Sequence, residues 1–340
     1  MKKLIVIASL AMMACAAPTP TDSQIAGPSS TETKTMGFST LTGEPPIIIA
    51  HRGASGLYPE HTAKAYLAAM EQGADFIEPD LAMTKDGILI ASHDAYLSDT
   101  TNVADHPEFA DRKVTRKTPL GEREDWWTDD FTLAEIKTLK ARQRVAGRSQ
   151  EYNDLYDILT FNEVLDLVIA QDAVGRTVGL HIEAKWPSYF SSVGLDMVDP
   201  ILEALDRKGI RGAGIPVYIQ CFEPQFLEQM AEKSDLPLIQ NLVGPPYAAL
   251  LGMDLKLEDI HTTGVGANKT LILSEDGSVT DYVDRAHEQG LLVHVYTVRD
   301  DAPAPGFDSA DAELKALFGA GVDGVWTDYP ATALKVRDGE

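Results

Sequence analysis

The sequence predicts an α/β protein whose fold is a TIM-type (β/α)8 barrel with a small insertion after the second strand. Apolar segments typical of buried strands alternate with helix-like segments, and this order indicates parallel βαβ units. About eight such units fit in the 340 residues, which is a common length for a single barrel. An open doubly wound sheet is the alternative, but no Gly-x-Gly-x-x-Gly motif follows the first strand.

The first predicted unit is an apolar strand at 47–50, followed by a helix that Thr62 can cap and Gly73 can end. The second strand covers residues 75–82, and the short segment 88–92 runs back beside it after an Asp-Gly turn. Later strands are predicted at 177–185, 216–222, 236–243, 291–299 and 323–328. Later helices are predicted at 198–209, 224–233, 279–290, 312–321 and 330–337.

The stretch 95–160 interrupts this alternation and shows little strand character. It contains two capping boxes, Thr132 with Glu135 and Thr160 with Glu163, each of which predicts the start of a helix. An insertion after the second strand of a barrel lies on the catalytic face. We therefore interpret residues 95–160 as a cap that shapes a substrate pocket, and a solvated decoration without a role is the alternative.

The N-terminal residues 1–14 predict an export signal, because two lysines precede an apolar run that is too short to span a bilayer. Cys15 follows in a context that resembles a lipobox, which predicts a lipid anchor in the outer membrane; ordinary cleavage into the periplasm is the alternative. Residues 15–43 are rich in Pro, Thr, Ser and Gly and predict a flexible tether. We expect residues 44–340 to form the single catalytic barrel domain.

The net charge of −23 becomes −25 when the two lysines of the signal are removed. Such an acidic surface repels nucleic acid and anionic lipid, so we expect a small-molecule partner and membrane contact only through an anchor at Cys15. The two cysteines, Cys15 and Cys221, do not indicate a disulfide framework.

Polar clusters follow three of the predicted strands at the point where each strand ends. They are His51-Arg52-Gly53, Glu78-Pro79-Asp80 and His93-Asp94. Because strand ends of a barrel meet at one face, these strands bring two imidazoles, a guanidinium and two carboxylates together. The pattern therefore predicts a functional site.

Carboxylates dominate this predicted site. Glu78 and Asp80 are two residues apart on one strand and face the same way, and Glu183 and Lys185 do so on the next strand. Three inward carboxylates repel one another strongly without a cation, and oxygen ligands favour Ca²⁺ or Mg²⁺ over zinc. We expect one divalent cation, held by Glu78, Asp80 and Glu183; pairing of each acid with Arg52 or Lys185 is the alternative.

Two histidines beside this acidic group indicate acid–base chemistry. His51 and His93 can each carry a proton near neutral pH. Arg52 and Lys185 place positive charge where an anionic phosphate could bind. Together these residue types predict a hydrolase or a phosphoryl-transfer enzyme.

The motifs His51-Arg52-Gly53, Glu78-x-Asp80 and His93-Asp94 resemble the signature of glycerophosphodiester phosphodiesterases. The resemblance extends from about residue 47 to the C-terminus and includes the blocks 218–222, 294–299 and 326–328. The later blocks and the insertion are most similar to the periplasmic branch of that family.

The resemblance implies metal-dependent hydrolysis of glycerophosphodiesters, such as glycerophosphocholine or glycerophosphoethanolamine, to sn-glycerol 3-phosphate and an alcohol. It implies one divalent ion on Glu78, Asp80 and Glu183, with Ca²⁺ favoured and Mg²⁺ the alternative. His51 and His93 match the catalytic pair, with His51 favoured as base and His93 as acid in a first step that forms a cyclic phosphate. Arg52 and Lys185 match its phosphate-binding residues.

The aromatic residues Phe222, Tyr296 and Trp326 end predicted strands and could line the glycerol or headgroup pocket, although core packing is the alternative for each. One departure from the family pattern is His61, which stands where Asn is common after Pro59-Glu60. We expect His61 to add a hydrogen-bond donor near the substrate.

Two other functions are compatible with the sequence. A phosphodiesterase of lysophospholipase D or sphingomyelinase D type is compatible with a lipid anchor and with the tryptophans of the insertion. A surface-binding lipoprotein without activity is the third candidate, but degenerate motifs would be expected then, and every motif position is filled.

Overall fold

A computed structural model describes residues 38–118, 121–245, 247–251 and 253–339. The predicted signal at 1–14, the Cys15 anchor and most of the tether at 15–43 lie outside this part of the chain.

Eight parallel strand positions, which we call staves, close into a barrel within the described residues, as predicted. β2 and β3 form one stave that Pro79 interrupts, since both pair with β7. The part of the chain that the structure describes has twelve strands: β1 Ile47–His51, β2 Phe76–Glu78, β3 Asp80–Met83, β4 Leu89–Ala91, β5 Val114–Thr118, β6 Gly121–Asp125, β7 Gly179–Ala184, β8 Val217–Cys221, β9 Leu238–Leu242, β10 Gly264–Asn268, β11 Leu292–Val298 and β12 Gly324–Thr327. The order around the barrel is β1, β2/β3, β7, β8, β9, β10, β11 and β12, which pairs back to β1.

Helices surround the barrel. They are α1 Ala63–Gln72, α2 Leu133–Ile136, α3 Phe161–Ala173, α4 Pro187–Ser192, α5 Val198–Arg207, α6 Pro224–Lys233, α7 Tyr247–Leu251, α8 Tyr282–His287, α9 Ala310–Gly319 and α10 Pro330–Asp338. Short 3-10 helices lie at Val103–Asp105, Pro107–Arg112, Thr128–Asp130, Leu257–Asp259 and Lys269–Leu271. In the part of the chain that the structure describes, none of the helices has the length and apolar character needed to cross a membrane.

The stave made by β2 and β3 shows the alternation expected from its sequence. Ile77 and Leu81 are fully buried in the layer between strands and helices. Phe76 points into the barrel, where it packs with Ile49 and Trp326. Because successive side chains point to opposite faces, Glu78 shares the inward face of Phe76.

The predicted caps of α1 are present. The Thr62 side chain accepts a hydrogen bond from the Ala65 amide, and Gly73 ends the helix in the left-handed region at φ 114°. The capping boxes at Thr132 and Thr160 also form, and they start α2 and α3.

The strands β5, β6 and β10 and the short helices α4 and α7 differ from the sequence prediction. β10 was missed because its sequence, GVGAN, has small residues where a strand usually carries bulky ones. The insertion was expected to have little strand character, yet β5 and β6 form an antiparallel hairpin. Its charged residues, VTRKT and GERED, hide the apolar alternation that identifies a strand.

The insertion shares the main apolar core of the barrel. Trp127 and Phe131 are fully buried in the same cluster as the helix-facing residues of the barrel. The Trp127 indole donates a hydrogen bond to the Val114 carbonyl at 3.0 Å, and the Trp126 indole donates to Phe109 at 2.7 Å. These hydrogen bonds join residues within the insertion, and the buried Trp127 ties the base of the hairpin to the shared core.

Candidate active site

Three carboxylates meet at the C-terminal mouth of the barrel. Glu78 ends β2, Asp80 begins β3 and Glu183 lies near the end of β7. Asp80 is in register with Glu183, and His51 with Glu78, so neighbouring strands present these groups side by side. One oxygen from each carboxylate lies within 4.8 Å of the others. The convergence predicted from the strand ends is therefore present.

The three carboxylates are buried close together, and their pKa values reflect this. Burial and the charges of Asp80 and Glu183 raise the pKa of Glu78 well above its usual value. Burial and Asp80 also raise the pKa of Glu183, to about 7, against the opposing effect of Lys185. Burial would raise the pKa of Asp80 as well, but Lys185 and Arg52 outweigh it and lower that pKa. The three acids thus need additional positive charge to be ionised together.

A divalent cation fits this group of oxygens. Asp80 Oδ1 has no hydrogen-bond partner among the described residues, and Lys185 Nζ lies 3.8 Å away from it. The predicted alternative is also partly realised, because Arg52 Nε lies 3.1 Å from Asp80 and Lys185 Nζ lies 2.6 Å from Glu183. Since hard oxygen donors suit Ca²⁺ and Mg²⁺, Glu78, Asp80 and Glu183 could hold one such ion beside these cations.

His51 is oriented by a carboxylate from the last strand. Its Nδ1 lies 2.6 Å from Asp328 Oδ1, and its Nε2 lies 3.9 Å from Glu78 Oε2. An ionised carboxylate can only accept, so Nδ1 carries the proton and the Nε2 lone pair faces the acidic group. Burial and the nearby Arg52 lower the pKa of His51 to about 4, although Asp328 opposes this. The imidazole is therefore neutral and can accept a proton at Nε2.

His93 also lies beside a carboxylate. Its Nδ1 lies 3.0 Å from Asp94 Oδ2, and 27% of its side chain is exposed. Burial, Arg52 and Lys185 lower the pKa of His93 to about 3. The charges of Arg52 and Lys185 therefore help to keep this imidazole neutral, and an anionic ligand would offset those charges.

Arg52 connects several of these groups. Its backbone amide donates to Glu78 Oε2 at 3.1 Å, and its Nη1 contacts both oxygens of Glu60 at 3.1 Å. Burial would raise the pKa of Glu60, but Arg52 and Arg144 lower it to about 2. Arg52 adopts the left-handed region at φ 61°, which turns its side chain over Asp80 directly after β1.

The loop after β1 needs a glycine and uses His61 in an unexpected way. Gly53 has φ 84°, and a Cβ there would lie 2.6 Å from the backbone of Ala65. His61 is buried, with Nε2 3.0 Å from Asp80 Oδ2 and Nδ1 2.7 Å from the Tyr66 hydroxyl. His61 therefore orients a carboxylate of the acidic group instead of facing an open pocket.

A cavity of about 800 Å³ opens beside the acidic group. Its wall includes His93, Glu183 and Lys185 from the site, and Lys117, Glu122 and Arg123 from the hairpin β5–β6. The insertion thus contributes one wall of the cavity. The remaining lining residues are Asp94, Tyr96, Thr118, Ala184, Trp186, Pro187, Ser188, Tyr189, Cys221, Phe222, Glu223, Val243, Leu251 and Met253.

The three aromatic residues predicted to line a pocket occupy different places. Phe222 lines the cavity. Tyr296 packs behind it, with ring centroids 6.1 Å apart, and donates its hydroxyl to Leu242 at 2.7 Å. Trp326 is 1% exposed inside the barrel, where its ring lies 4.6 Å from His181. Core packing accounts for Trp326.

Several residues at the site were not assigned from the sequence. Asp94 and Asp328 lie within the quoted motifs, and their position beside His93 and after β12 was the available signal. Among the cavity aromatics, Tyr96 comes from the insertion, and Trp186 and Tyr189 come from the N-cap and the interior of the short helix α4, where periodicity gives no signal. The same holds for the arginines of the insertion that reach the site, Arg144 and Arg148.

A profile of the glycerophosphoryl diester phosphodiesterase family matches residues 51–332, which include all the site residues named above. The chain belongs to this family. It is therefore an enzyme of the phosphoric diester hydrolase class, as the motifs predicted.

Individual relatives agree with the family assignment. The chain is 38% identical to glycerophosphodiester phosphodiesterase GDPD6 of Arabidopsis thaliana over 84% of each chain. It is 32% identical to the glycerophosphodiester phosphodiesterase of Bacillus subtilis over 86% of this chain and 87% of the relative. A solved phosphodiesterase of Oleispira antarctica has the same fold, with a TM-score of 0.60 at 23% identity, covering 88% of this chain and 99% of that one.

Proposed function

We propose that this enzyme hydrolyses glycerophosphodiesters, such as glycerophosphocholine and glycerophosphoethanolamine, to sn-glycerol 3-phosphate and an alcohol. One observation carries the proposal: two carboxylate-paired histidines lie at the same barrel mouth as the acidic group of Glu78, Asp80 and Glu183. The Oleispira antarctica relative was solved with the product sn-glycerol 3-phosphate, which supports the same product here.

The proposal includes one divalent cation on Glu78, Asp80 and Glu183, with Ca²⁺ favoured by the resemblance to the periplasmic branch and Mg²⁺ as the alternative. When bound, the ion would offset the charge of the acids and of a phosphate and would make a nearby hydroxyl more acidic. Asp80 Oδ1, which lacks a hydrogen bond, supports its role as a ligand.

In the first step, His51 is the base. Its Nε2 faces the acidic group, and its Nδ1 is held by Asp328, so it can take the proton of the substrate hydroxyl next to the phosphate. That oxygen attacks phosphorus, the bond to the alcohol breaks and a cyclic phosphate forms. Arg52 and Lys185 offset the negative charge of the phosphate.

His93 is the acid in this step, because it lies on the cavity wall where the leaving alcohol would sit. Burial, Arg52 and Lys185 lower the pKa of His93, so a phosphate that offsets the two cations raises this pKa and favours the protonated imidazole. His93 gives this proton to the alcohol oxygen. In the second step His93 takes a proton from water, the water oxygen attacks phosphorus, and His51 protonates the ring oxygen that leaves.

The decisive experiment is a coupled assay for sn-glycerol 3-phosphate with glycerophosphocholine as substrate. Chelator should abolish the product, and Ca²⁺ or Mg²⁺ added in excess should restore it. Full activity in chelator would refute the cation assignment, and the absence of sn-glycerol 3-phosphate under all conditions would refute the substrate class. The cation that restores the higher kcat decides between Ca²⁺ and Mg²⁺.

A second candidate is an enzyme of lysophospholipase D type. The cavity wall carries Val243, Leu251 and Met253, which offer apolar surface that a small headgroup would leave uncovered. Comparing kcat/KM for glycerophosphocholine and lysophosphatidylcholine separates the two, and a higher value for the lysolipid would favour the second candidate.

We also propose that the enzyme is exported and held in the outer membrane through lipidated Cys15, with a free periplasmic form as the alternative. The charged and apolar pattern of residues 1–14 supports this. Incorporation of radiolabelled palmitate into the wild type, and its loss in Cys15→Ala, would distinguish the two forms.

A further inference from the structure

One segment of the insertion contacts the carboxylates that lie beside both histidines. We call residues 142–148 the strap. Gln143 Nε2 donates to the Ser55 carbonyl at 3.0 Å, and Arg148 Nη1 donates to the same carbonyl at 3.2 Å. The strap is thus fixed to the loop that follows β1, directly after His51.

Arg148 lies behind His51. Its Nη2 donates to Asp328 Oδ2 at 2.5 Å, while Asp328 Oδ1 accepts from His51. Its Nε donates to Asp301 at 2.7 Å, and only 5% of its side chain is exposed. Arg148 therefore holds both the position and the charge of the carboxylate that orients His51.

Arg144 has the equivalent position behind His93. Its Nη2 donates to Asp94 Oδ2 at 3.1 Å, and the same Asp94 oxygen lies 3.0 Å from His93 Nδ1. Its Nη1 donates at 3.3 Å to Glu60, the carboxylate that holds Arg52. The two arginines are four residues apart in sequence and reach the partners of the two histidines.

We propose that Arg144 and Arg148 are positioning residues, each of which fixes the ionised carboxylate that orients one catalytic histidine. The inference rests on the proposed function, since it takes His51 and His93 as the base and the acid. The strap lies outside both histidine motifs, and in this proposal it sets the geometry of both proton transfers.

The physical reason is the cost of a buried carboxylate without a cation. Burial favours the neutral form of Asp94 and Asp328, but histidine and arginine neighbours outweigh it and hold the pKa of both acids below their usual range. Without its arginine, either acid can rotate away or take up a proton, and the neighbouring imidazole then loses its ionised partner. Arg299 Nε lies 3.0 Å from Asp328 and preserves part of the charge, but not the position that Arg148 sets.

The test compares Arg144→Gln and Arg148→Gln with Arg142→Gln. Arg142 is a matched control, because it lies in the same strap but pairs with Asp154 at 2.7 Å, inside the insertion. We expect kcat for glycerophosphocholine to fall about 10-fold or more in the first two variants, a part of the roughly 10²- to 10⁴-fold that a positioned acid or base contributes. Arg142→Gln should keep wild-type kcat, and equal kcat in all three variants would overturn the inference.

A substrate with a better leaving group distinguishes a positioning role of the arginines from a general structural effect of their replacement. In the p-nitrophenyl ester of glycerol 3-phosphate, the nitrophenolate leaves without a proton, so the acid is no longer needed in the first step. Single-turnover release of nitrophenolate should then be close to wild type in Arg144→Gln and still slow in Arg148→Gln, which acts on the base. An equal slowing of both substrates in both variants would show a purely structural role and would overturn the inference.

Two further measurements separate failure of this inference from failure of the proposed function. If His51→Gln and His93→Gln remain active, the acid–base pair itself is wrong, and the strap inference falls with it. If they are inactive while both arginine variants behave like Arg142→Gln, only the strap inference is overturned. In the Asp328→Asn background, Arg148→Gln should cost nothing further, and an additional loss of the same size would contradict action through Asp328.

Discussion

At the scale of single residues, the site depends on which nitrogen of each imidazole carries the proton. Asp328 and Asp94 lie against Nδ1 of His51 and His93, and this leaves Nε2 of each ring for the substrate. For His51 the hydrogen bond to Asp328 sets the tautomer and gives the ring a defined direction for proton transfer. Asp94, in contrast, is an ion-pair neighbour of His93 Nδ1 without hydrogen-bond geometry. The two histidines differ in surroundings, since His51 is nearly buried against Glu78 and His93 borders the cavity.

Replacing either histidine should remove turnover but leave the cation site in place. We expect His51→Gln and His93→Gln to lower kcat by roughly 10²- to 10⁴-fold, because a positioned acid or base is lost. Neither ring is a ligand in the proposed site, so calorimetric Ca²⁺ affinity should remain near wild type. The control is His106→Gln, whose Nδ1 also lies 3.0 Å from a carboxylate, Glu108, but within the insertion. Loss of Ca²⁺ binding in either variant would contradict the ligand assignment.

A buried histidine inside the barrel should make stability depend on pH. Burial lowers the pKa of His294 from 6.5 to about 4, although Asp323 opposes this. The folded state therefore prefers the neutral ring, so its stability is complete above pH 6.5 and falls as the pH decreases towards 4. Between pH 7.5 and 5.0 this group should reduce the free energy of unfolding by about 2 kcal/mol.

Urea denaturation of the wild type and of His294→Gln at both pH values measures this contribution. The difference between the two proteins cancels the titration of the groups that do not interact with His294. We expect the loss of stability between pH 7.5 and 5.0 to be about 2 kcal/mol smaller in His294→Gln. An identical pH dependence in the two proteins would show that the folded state tolerates the charged ring.

At the scale of elements, α3 connects the insertion to the barrel and begins with a reciprocal cap. The Thr160 hydroxyl accepts from the Glu163 amide at 3.2 Å, and Glu163 Oε2 accepts from the Thr160 amide at 2.7 Å. Thr160→Ala should cost about 1 kcal/mol of stability in urea denaturation, because one amide of the first turn loses its acceptor. Thr160→Ser keeps the hydroxyl and should remain near wild type. An equal loss in both variants would assign the effect to the Thr160 methyl group instead.

Sequence patterns predicted the elements that carry apolar periodicity or a local cap. The strand that ends at His51 and the box at Thr160 are examples, because the residues involved are neighbours in sequence. β10 and the hairpin β5–β6 were missed, since small or charged residues obscure the period of a strand.

The residues of the site also divide into those that sequence patterns predicted and those that they did not. The acidic group was predicted because strand ends of a parallel barrel must meet at one face, a rule that applies without knowing any loop. The contact of Arg148 with Asp328 joins residues 180 apart in sequence, and that of Arg144 with Asp94 joins residues 50 apart. Only the path of the insertion brings these pairs together, and no local pattern encodes that path.

At the scale of the whole molecule, the acidic group joins neighbouring staves of the closed barrel. Glu78 and Asp80 come from one stave and Glu183 from the next, so an ion shared by all three would link β2, β3 and β7 at the mouth. Burial and the neighbouring carboxylates raise the pKa of Glu78 and Glu183, so ionising both acids in the folded barrel is unfavourable without the ion. Cation binding should therefore stabilise the native fold as well as activate it.

Thermal unfolding tests this link between the cation and the barrel. An ion that binds only the native state adds about 2.7 kcal/mol at a concentration 100 times its Kd, which should raise Tm by several degrees in a domain of this size. Glu183→Gln removes a proposed ligand and should lose most of this rise. In chelator its Tm should be close to that of the wild type or above it, because a buried like charge has been removed. The exposed Glu203→Gln should respond to Ca²⁺ as the wild type does. A full Ca²⁺ response in Glu183→Gln would place the ion elsewhere, because the loss of a residue that binds the ion should weaken binding and reduce the rise in Tm.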